Sequence, residues 1–269
     1  ITLSSQVCPE IREYERQSTA CANAYVQPLM SRYLTKLDEA LQSMGFICPF
    51  LLMTSGGGLT TLDTSIKFPV RLVESGPAGG AILATEIAKE CGIDNVLSFD
   101  MGGTTAKICL IDDCTPQMTR TFEVARVYRN LKGSGLPLRI PAIEMVEIGA
   151  GGGSIAKVDE MKRISVGPES SGAFPGPACY GQGGLDATVT DADVILGRID
   201  PKDFAGGAVK LAPEKADLAL QTAVGDQLSL NSSLSAFGVS EIVDENMANA
   251  ARVHAIEWGK DISARSMIA

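Results

Sequence analysis

The sequence predicts a mixed α/β protein. Two observations carry that prediction. The composition is aliphatic and glycine-rich, with 28 glycines and only 5% aromatic residues. Short apolar runs that end in glycine or proline alternate with longer stretches of helical periodicity. At 269 residues the chain has room for one large domain or two small ones. Its 45% hydrophobic and 20% charged content is that of an ordinary globular protein able to bury a core.

In chain order, Pro9-Glu10 reads as the first turn of a helix. Its apolar positions Ala20, Ala24, Leu29, Leu34, Leu37 and Leu41 run to a stop at Gly45, and Pro28 is expected to kink or split it. Residues 50–53 form a buried strand entering the glycine loop 54–58, and 70–73 a second short strand. Residues 78–91 form a helix stopped by Gly92. Strands 96–100 and 107–111 flank Met101-Gly102-Gly103-Thr104-Thr105 in the spacing of a β-hairpin. From 119 to 166 short strands alternate with glycine and proline punctuation, broken by the run 149–154, and 167–186 is loop-rich. Residues 190–198 form a short helix capped by Thr190 or Asp191, and 213–225 and 241–262 are further helices.

Charge and composition exclude several classes of function. With 23 basic against 32 acidic side chains and a net charge of −9, the chain lacks the basic footprint that nucleic acid or an anionic membrane requires. The nearly uncharged stretch 45–66 contains Pro49 and several glycines and is no membrane span. A single histidine, His254, rules out multi-histidine metal sites, and its helical position reads as surface or packed rather than catalytic. Trp258 nearby reads as core or interface. The seven cysteines are odd in number, scattered and free of any Cys-x-x-Cys, which fits a reduced, cytoplasmic setting. Cys109 and Cys114 read as ordinary half-buried thiols.

The sharpest chemical feature is Asp100-Met101-Gly102-Gly103-Thr104-Thr105. Two glycines let the backbone turn tightly and approach a ligand without a Cβ in the way. Consecutive N–H groups and the threonine hydroxyls would donate to phosphate oxygens, and Asp100 would hold Mg²⁺ directly or through water. The competing reading is a tight hairpin whose Asp caps its own turn. Gly149-Ala150-Gly151-Gly152-Gly153-Ser154 is not a G-x-G-x-x-G fingerprint, and no G-x-x-x-x-G-K-[ST] exists, so it reads as a flexible or close-packed crossing as readily as a nucleotide loop. Ser75-Gly76-Pro77-Ala78-Gly79-Gly80 opens a helix, which serves either an anion or close helix packing. Glu144 and Glu147 fall on opposite faces of a strand and make no acid–base pair. Asp112-Asp113 reads as a solvated turn, and Asp191 and Asp193 read as helix-capping residues.

An ordered set of motifs carries a resemblance. It comprises Thr54-Ser55-Gly56-Gly57-Gly58, Glu74-Ser75-Gly76-Pro77-Ala78-Gly79-Gly80, 99–105, 148–154, Val166-Gly167-Pro168-Glu169-Ser170, Pro175-Gly176-Pro177-Ala178-Cys179-Tyr180-Gly181, 188–193 and Glu245-Asn246-Met247. Together these resemble the hydantoinase A/5-oxoprolinase family, to which the N-methylhydantoinases belong, over nearly the whole chain.

The resemblance implies an actin-like ATPase (ribonuclease H-like) fold with mixed sheets and flanking helices. In such folds each half supplies one glycine hairpin to the phosphates. This chain has one, resembling the second, so it reads as an internal segment of a longer subunit, the fold incomplete. On that basis residues 1–92 are the end of a first lobe with a connector helix. Residues 93–269 are a second lobe with an inserted strand- and loop-rich subdomain at about 119–235. The implied activity is ATP-dependent opening of a cyclic amide, a hydantoin or 5-oxoproline, by phosphoryl activation of the amide oxygen. Asp100 is then the catalytic Mg²⁺ anchor. Gly102, Gly103, Thr104 and Thr105 cradle the phosphates of ATP, with Gly76, Gly151 and Gly152 as cleft wall. The implied partners are a small cyclic-amide substrate, a B-type hydantoinase subunit or domain, and other copies in an oligomer. One departure stands out: many members carry an acidic residue where this chain has Lys107, which leaves metal coordination beyond Asp100 in doubt. The alternatives are a ketone carboxylase subunit of the same family and a catalytically incomplete binding or assembly module.

Overall fold

The computed structural model describes residues 1–124 and 133–269. Where the predicted strand-rich stretch 119–166 and the predicted insert at about 119–235 cross 125–132, they lie outside the described residues. Among the described residues the largest sheet has five strands. Its order is Val146–Ile148, Ala106–Asp112, Val96–Met101, Ser266–Ile268, with Thr115–Pro116 added on Ala106–Asp112. Contacts divide the chain into two units. The first comprises Ile1–Ser98, Cys109–Met145 and Ile268, and the second Phe99–Ile108, Val146–Met267 and Ala269.

In the first unit the long helix spans Glu13–Ser43. It starts later than Pro9-Glu10 suggests, after a separate turn Ser4–Val7, and Glu13 and Glu15 sit in its first turn, where the helix dipole favours them. Pro28 does not split it. The ring removes the N–H that would bond Ala24, but Ala24 and Pro28 are both exposed, so water can take that carbonyl. The fully buried Asn23 docks the helix. Its amide nitrogen donates to the Lys67 carbonyl at 3.1 Å, and its oxygen accepts the Val70 N–H at 3.2 Å. The strand expected at 70–73 is instead the 3₁₀ turn Pro69–Leu72, because Pro69 presets φ at its start and Arg71 N–H bonds back to the Phe68 carbonyl.

Leu51–Met53 pairs with Leu59–Thr61 across the glycine loop as a short antiparallel hairpin. The helix Ser75–Cys91 ends at Gly92 in the left-handed region (φ +65°), as its sequence predicts. Its small face, Ala78, Ala81, Ala84 and Ala88, is buried against Val96, Cys109, Ile111 and Ile143. This is an i, i+3, i+4 stripe that lets sheet and helix approach closely.

In the second unit, Val146–Ile148 runs antiparallel to Ala106–Ile108, with Glu147 opposite Lys107. Ser154–Val158 pairs antiparallel with Ile164–Ser170. The helix expected at 190–198 spans Val189–Ile195, and its cap is Thr188 rather than Thr190 or Asp191. Asp191 instead completes a capping box with Thr188. Pro213–Leu220 continues through a wider turn to Gly225, as predicted. The last long helix is Ser232–Glu257, nine residues earlier at its start than 241–262. Asn231 caps it, accepting the Leu234 N–H at 2.8 Å, and Gly238 inside it hides the periodicity. His254 is packed on this helix, and Trp258 at its end is partly exposed. None of the helices of the described residues is long and apolar enough to cross a membrane.

Candidate functional site

The hairpin after Asp100 is held by hydrogen bonds and presents its tip outward. Apolar Val96 and Leu97 bury one strand, and Ala106, Ile108, Cys109, Leu110 and Ile111 bury the other. The turn closes with Gly102 N–H donating to the Thr105 carbonyl at 2.9 Å. Asp100, Met101, Gly102, Gly103 and Thr104 are exposed. Among the described residues no hydrogen bond reaches the Asp100 carboxylate, so Asp100 does not cap its own turn. Nor does any such bond use the N–H groups of Gly103 and Thr104 or the Thr104 hydroxyl.

Neither Gly102 nor Gly103 has a positive φ. The tight turn therefore does not explain the two glycines, contrary to the sequence-based expectation. A Cβ on Gly103 would meet nothing within 4 Å, and one on Gly102 only the Thr105 carbonyl at 3.5 Å. Nothing inside the molecule requires a glycine at 103. Gly76, in the first turn of Ser75–Cys91 in the other unit, shares that property.

Gly151-Gly152-Gly153 lies behind the hairpin. Gly152 N–H donates to the Gly102 carbonyl at 3.1 Å and Gly153 N–H to the Gly103 carbonyl at 2.6 Å. A Cβ on Gly151 would fall 2.6 Å from the Gly102 carbonyl oxygen, and one on Gly153 would fall 2.9 Å from that of Gly103. These glycines are packing glycines that let one backbone lie against another. Both carbonyls of the turn are thus drawn to one side.

Two further residues join this arrangement. Thr190 gives both its N–H and its Oγ1 to the Gly152 carbonyl, each at 2.8 Å. Ser171 gives its N–H, at 2.9 Å, and its Oγ, at 3.2 Å, to the Gly153 carbonyl. Behind Thr190, the fully buried Asp191 carboxylate accepts from Cys179 N–H at 2.7 Å, Ala178 N–H at 3.3 Å, Thr188 N–H at 2.9 Å and Thr188 Oγ1 at 2.7 Å. Burial, with the Asp191 charge beside it, pushes the Cys179 thiol far up.

Lys107 extends beside the turn. Its ammonium donates to Thr105 Oγ1 at 3.2 Å and pairs with Glu147 at 3.4 Å. A hollow of about 290 Å³ borders Met101 and is lined by Val189, Asp193, Arg198, Val243, Asp244 and Met247 among others. Arg198 spans it, donating to Ser240 Oγ at 2.7 Å and lying 3.4 Å from Asp193. Burial raises the Asp193 carboxyl despite that arginine.

Of the residues expected from sequence, the structure brings Asp100, Gly102, Gly103, Thr104, Thr105, Gly151 and Gly152 together in one unit, while Gly76 belongs to the other. The sequence does not single out Ser171, and it offers Thr190 only as a helix cap. Their only signal is a position beside or within the ordered motifs at 166–170 and 188–193. Among the described residues no group of three or more His, Cys, Asp or Glu side chains could hold a metal ion by itself.

The chain superposes on a nucleotide-free structure of acetone carboxylase, an enzyme of ATP-dependent acetone carboxylation. The TM-score is 0.84 at 27% identity, covering 98% of this chain and 36% of that one. The class so defined is a mixed α/β protein of the actin-like ATPase fold. An uncharacterized protein of Methanocaldococcus jannaschii is 40% identical over 97% of this chain, and the caprolactamase α subunit of Pseudomonas jessenii is 36% identical over 95%. The Hydantoinase/oxoprolinase family model matches residues 16–269, and the chain belongs to that family. It spans a little over a third of those relatives, 38% and 36% of their lengths.

Proposed function

We propose that this chain carries part of the ATP site of an enzyme that phosphorylates the oxygen of a cyclic amide, such as a hydantoin, 5-oxoproline or a lactam, so that water can open the ring. The observation that carries the reading is the outward hairpin. Its Gly103 has no internal reason to be glycine, its N–H groups at 103 and 104 point away from any partner among the described residues, and a carboxylate stands at its base. Consecutive amide donors of this kind suit phosphate oxygens.

The donor set fits Mg²⁺ arriving with the nucleotide. That ion takes one or two carboxylates and fills its shell with phosphate and water, and Asp100 is such a carboxylate. Bound there, Mg-ATP supplies a transferable phosphoryl group. The chain's own share is positional: amides 103 and 104 and the Thr104 and Thr105 hydroxyls orient the phosphates, and Lys107 holds Thr105 in place and adds a positive charge.

Similarity to acetone carboxylase supports a second reading, in which a ketone oxygen is the acceptor and carboxylation follows. The caprolactamase relative is named as one subunit of its enzyme, which supports a partner of B type. Seven free cysteines support a reducing, cytoplasmic compartment.

The test is ATP hydrolysis by the native enzyme against a panel of hydantoin, 5-oxoproline, caprolactam, and acetone with bicarbonate. Stimulation by a cyclic amide and its loss in Asp100→Ala is the expected result. Stimulation by acetone alone selects the carboxylase, and undiminished turnover in Asp100→Ala removes the assignment of Asp100.

A further inference from the structure

The glycine run at 151–153 is gripped from behind in a repeated way. The Gly152 carbonyl is held by the N–H and hydroxyl of one residue, Thr190, and the Gly153 carbonyl by the N–H and hydroxyl of another, Ser171. The same two glycines turn their N–H groups forward onto the carbonyls of Gly102 and Gly103. Followed through planar peptide units, these bonds make two chains: Thr190 holds the Gly152 carbonyl, whose peptide carries the Gly153 N–H bonded to the Gly103 carbonyl, while Ser171 holds the Gly153 carbonyl, whose peptide carries the Ser154 N–H bonded to the Gly151 carbonyl, and that peptide carries the Gly152 N–H bonded to the Gly102 carbonyl. Thr190 is only 6% exposed, and a Cβ on Gly152 would fall 2.8 Å from its hydroxyl, so this contact is close-packed as well as hydrogen-bonded.

We infer that Thr190 and Ser171 are positioning residues for the phosphate hairpin. By fixing both carbonyls of the turn rearward, they hold the N–H groups of Gly103 and Thr104 forward before any ligand arrives. Peptide units are planar and rigid, so the direction in which the Gly102 and Gly103 carbonyls point sets the direction of the amides that follow them. A turn free to flip its peptides would offer donors only part of the time, and affinity falls in proportion to the competent fraction. Asp191 anchors the first chain, because its capping box fixes the turn that carries Thr190. This clamp depends on the proposed ATP site only for what the hairpin binds, not for how it is held.

The experiment uses the native chain with Thr190→Val, Thr190→Ser, Ser171→Ala and Ser171→Thr. Amide hydrogen exchange at Gly152, Gly153 and Ser154 is read without nucleotide, and the affinity for Mg-ATP is read separately. Losing one hydroxyl bond is expected to speed exchange about fivefold on the peptide it grips, at Gly153 for Thr190→Val and at Ser154 for Ser171→Ala. Mg-ATP affinity is expected to fall about fivefold to tenfold in each, with Thr190→Ser and Ser171→Thr restoring both readings. Unchanged exchange in both truncations, or a Thr190→Ser as impaired as Thr190→Val, overturns the inference. If the wild-type native enzyme binds no Mg-ATP while the exchange pattern appears as described, the nucleotide reading fails and the clamp stands. If Mg-ATP binds and no variant alters its affinity, the clamp has no role in binding and the inference is overturned.

Discussion

Gly102-Gly103 and Gly151-Gly152-Gly153 look alike in the sequence and occupy opposite situations in the structure. A Cβ at 103 would enter open space, whereas one at 151 would strike the backbone oxygen of Gly102 at 2.6 Å and the Thr104 peptide at 2.7 Å. Neither run needs glycine for a left-handed backbone. Gly151 and Gly153 meet a neighbouring backbone, and Gly152 meets the Thr190 hydroxyl. A Cβ in the outer run meets nothing closer than 3.5 Å, which leaves its face open to the phosphate proposed to approach it. A glycine run therefore tells of a ligand only after internal packing has been subtracted.

The largest effect that can break this contrast is at 151. Gly151→Ala must displace the hairpin or its own loop, since the obstacles are backbone atoms rather than flexible side-chain ends. A loss of about 3 kcal/mol is expected in denaturant unfolding. A stability change near zero would show that the two backbones are not in contact. Next is Asp191→Ala, which strips the acceptor from three backbone N–H groups and the Thr188 hydroxyl in a dry environment, at a cost of about 2–3 kcal/mol. Retention of wild-type stability would mean that water already serves those donors. Gly152→Ala meets only the Thr190 hydroxyl, a side-chain end that can rotate away, so about 1 kcal/mol is expected, together with loss of the Oγ1 bond.

What was legible in the sequence follows from how far apart the contributing residues lie. The strands at 96–101 and 106–112 could be read because two apolar runs flank a glycine turn, all within one window. The helix Ser75–Cys91 announced its end with Gly92. The run 70–73 reads as a strand yet folds as a 3₁₀ turn because a short apolar segment carries no period, and Pro69 settles its shape from outside the run. Pro28 does not split its helix because a lone break in the hydrogen-bond ladder is tolerable where solvent reaches it, and exposure is a tertiary fact. The start of Ser232–Glu257 was missed because Gly238 and several serines dilute its apolar face. At the site, the hairpin residues were local and visible, but the grip on them was not. Thr190 reaches Gly152 across 38 positions and Ser171 reaches Gly153 across 18, and nothing local marks a threonine as the partner of a distant carbonyl.

Gly103→Ala is expected to have the smallest effect on stability and is the most discriminating. The backbone there is open to any residue, so the methyl group adds no clash and slightly restricts the unfolded chain, leaving stability within about 1 kcal/mol of wild type. If the outward face of the hairpin is where phosphate oxygens approach, the same methyl group stands between them and the amides, and Mg-ATP affinity is expected to fall about tenfold or more, as for loss of a charge-assisted hydrogen bond. Gly151→Ala would weaken both properties together, because it moves the hairpin itself. A Gly103→Ala variant that is stable and binds nucleotide normally would mean that this glycine faces solvent for no chemical purpose, and the distinction between inner and outer glycines would lose its functional meaning.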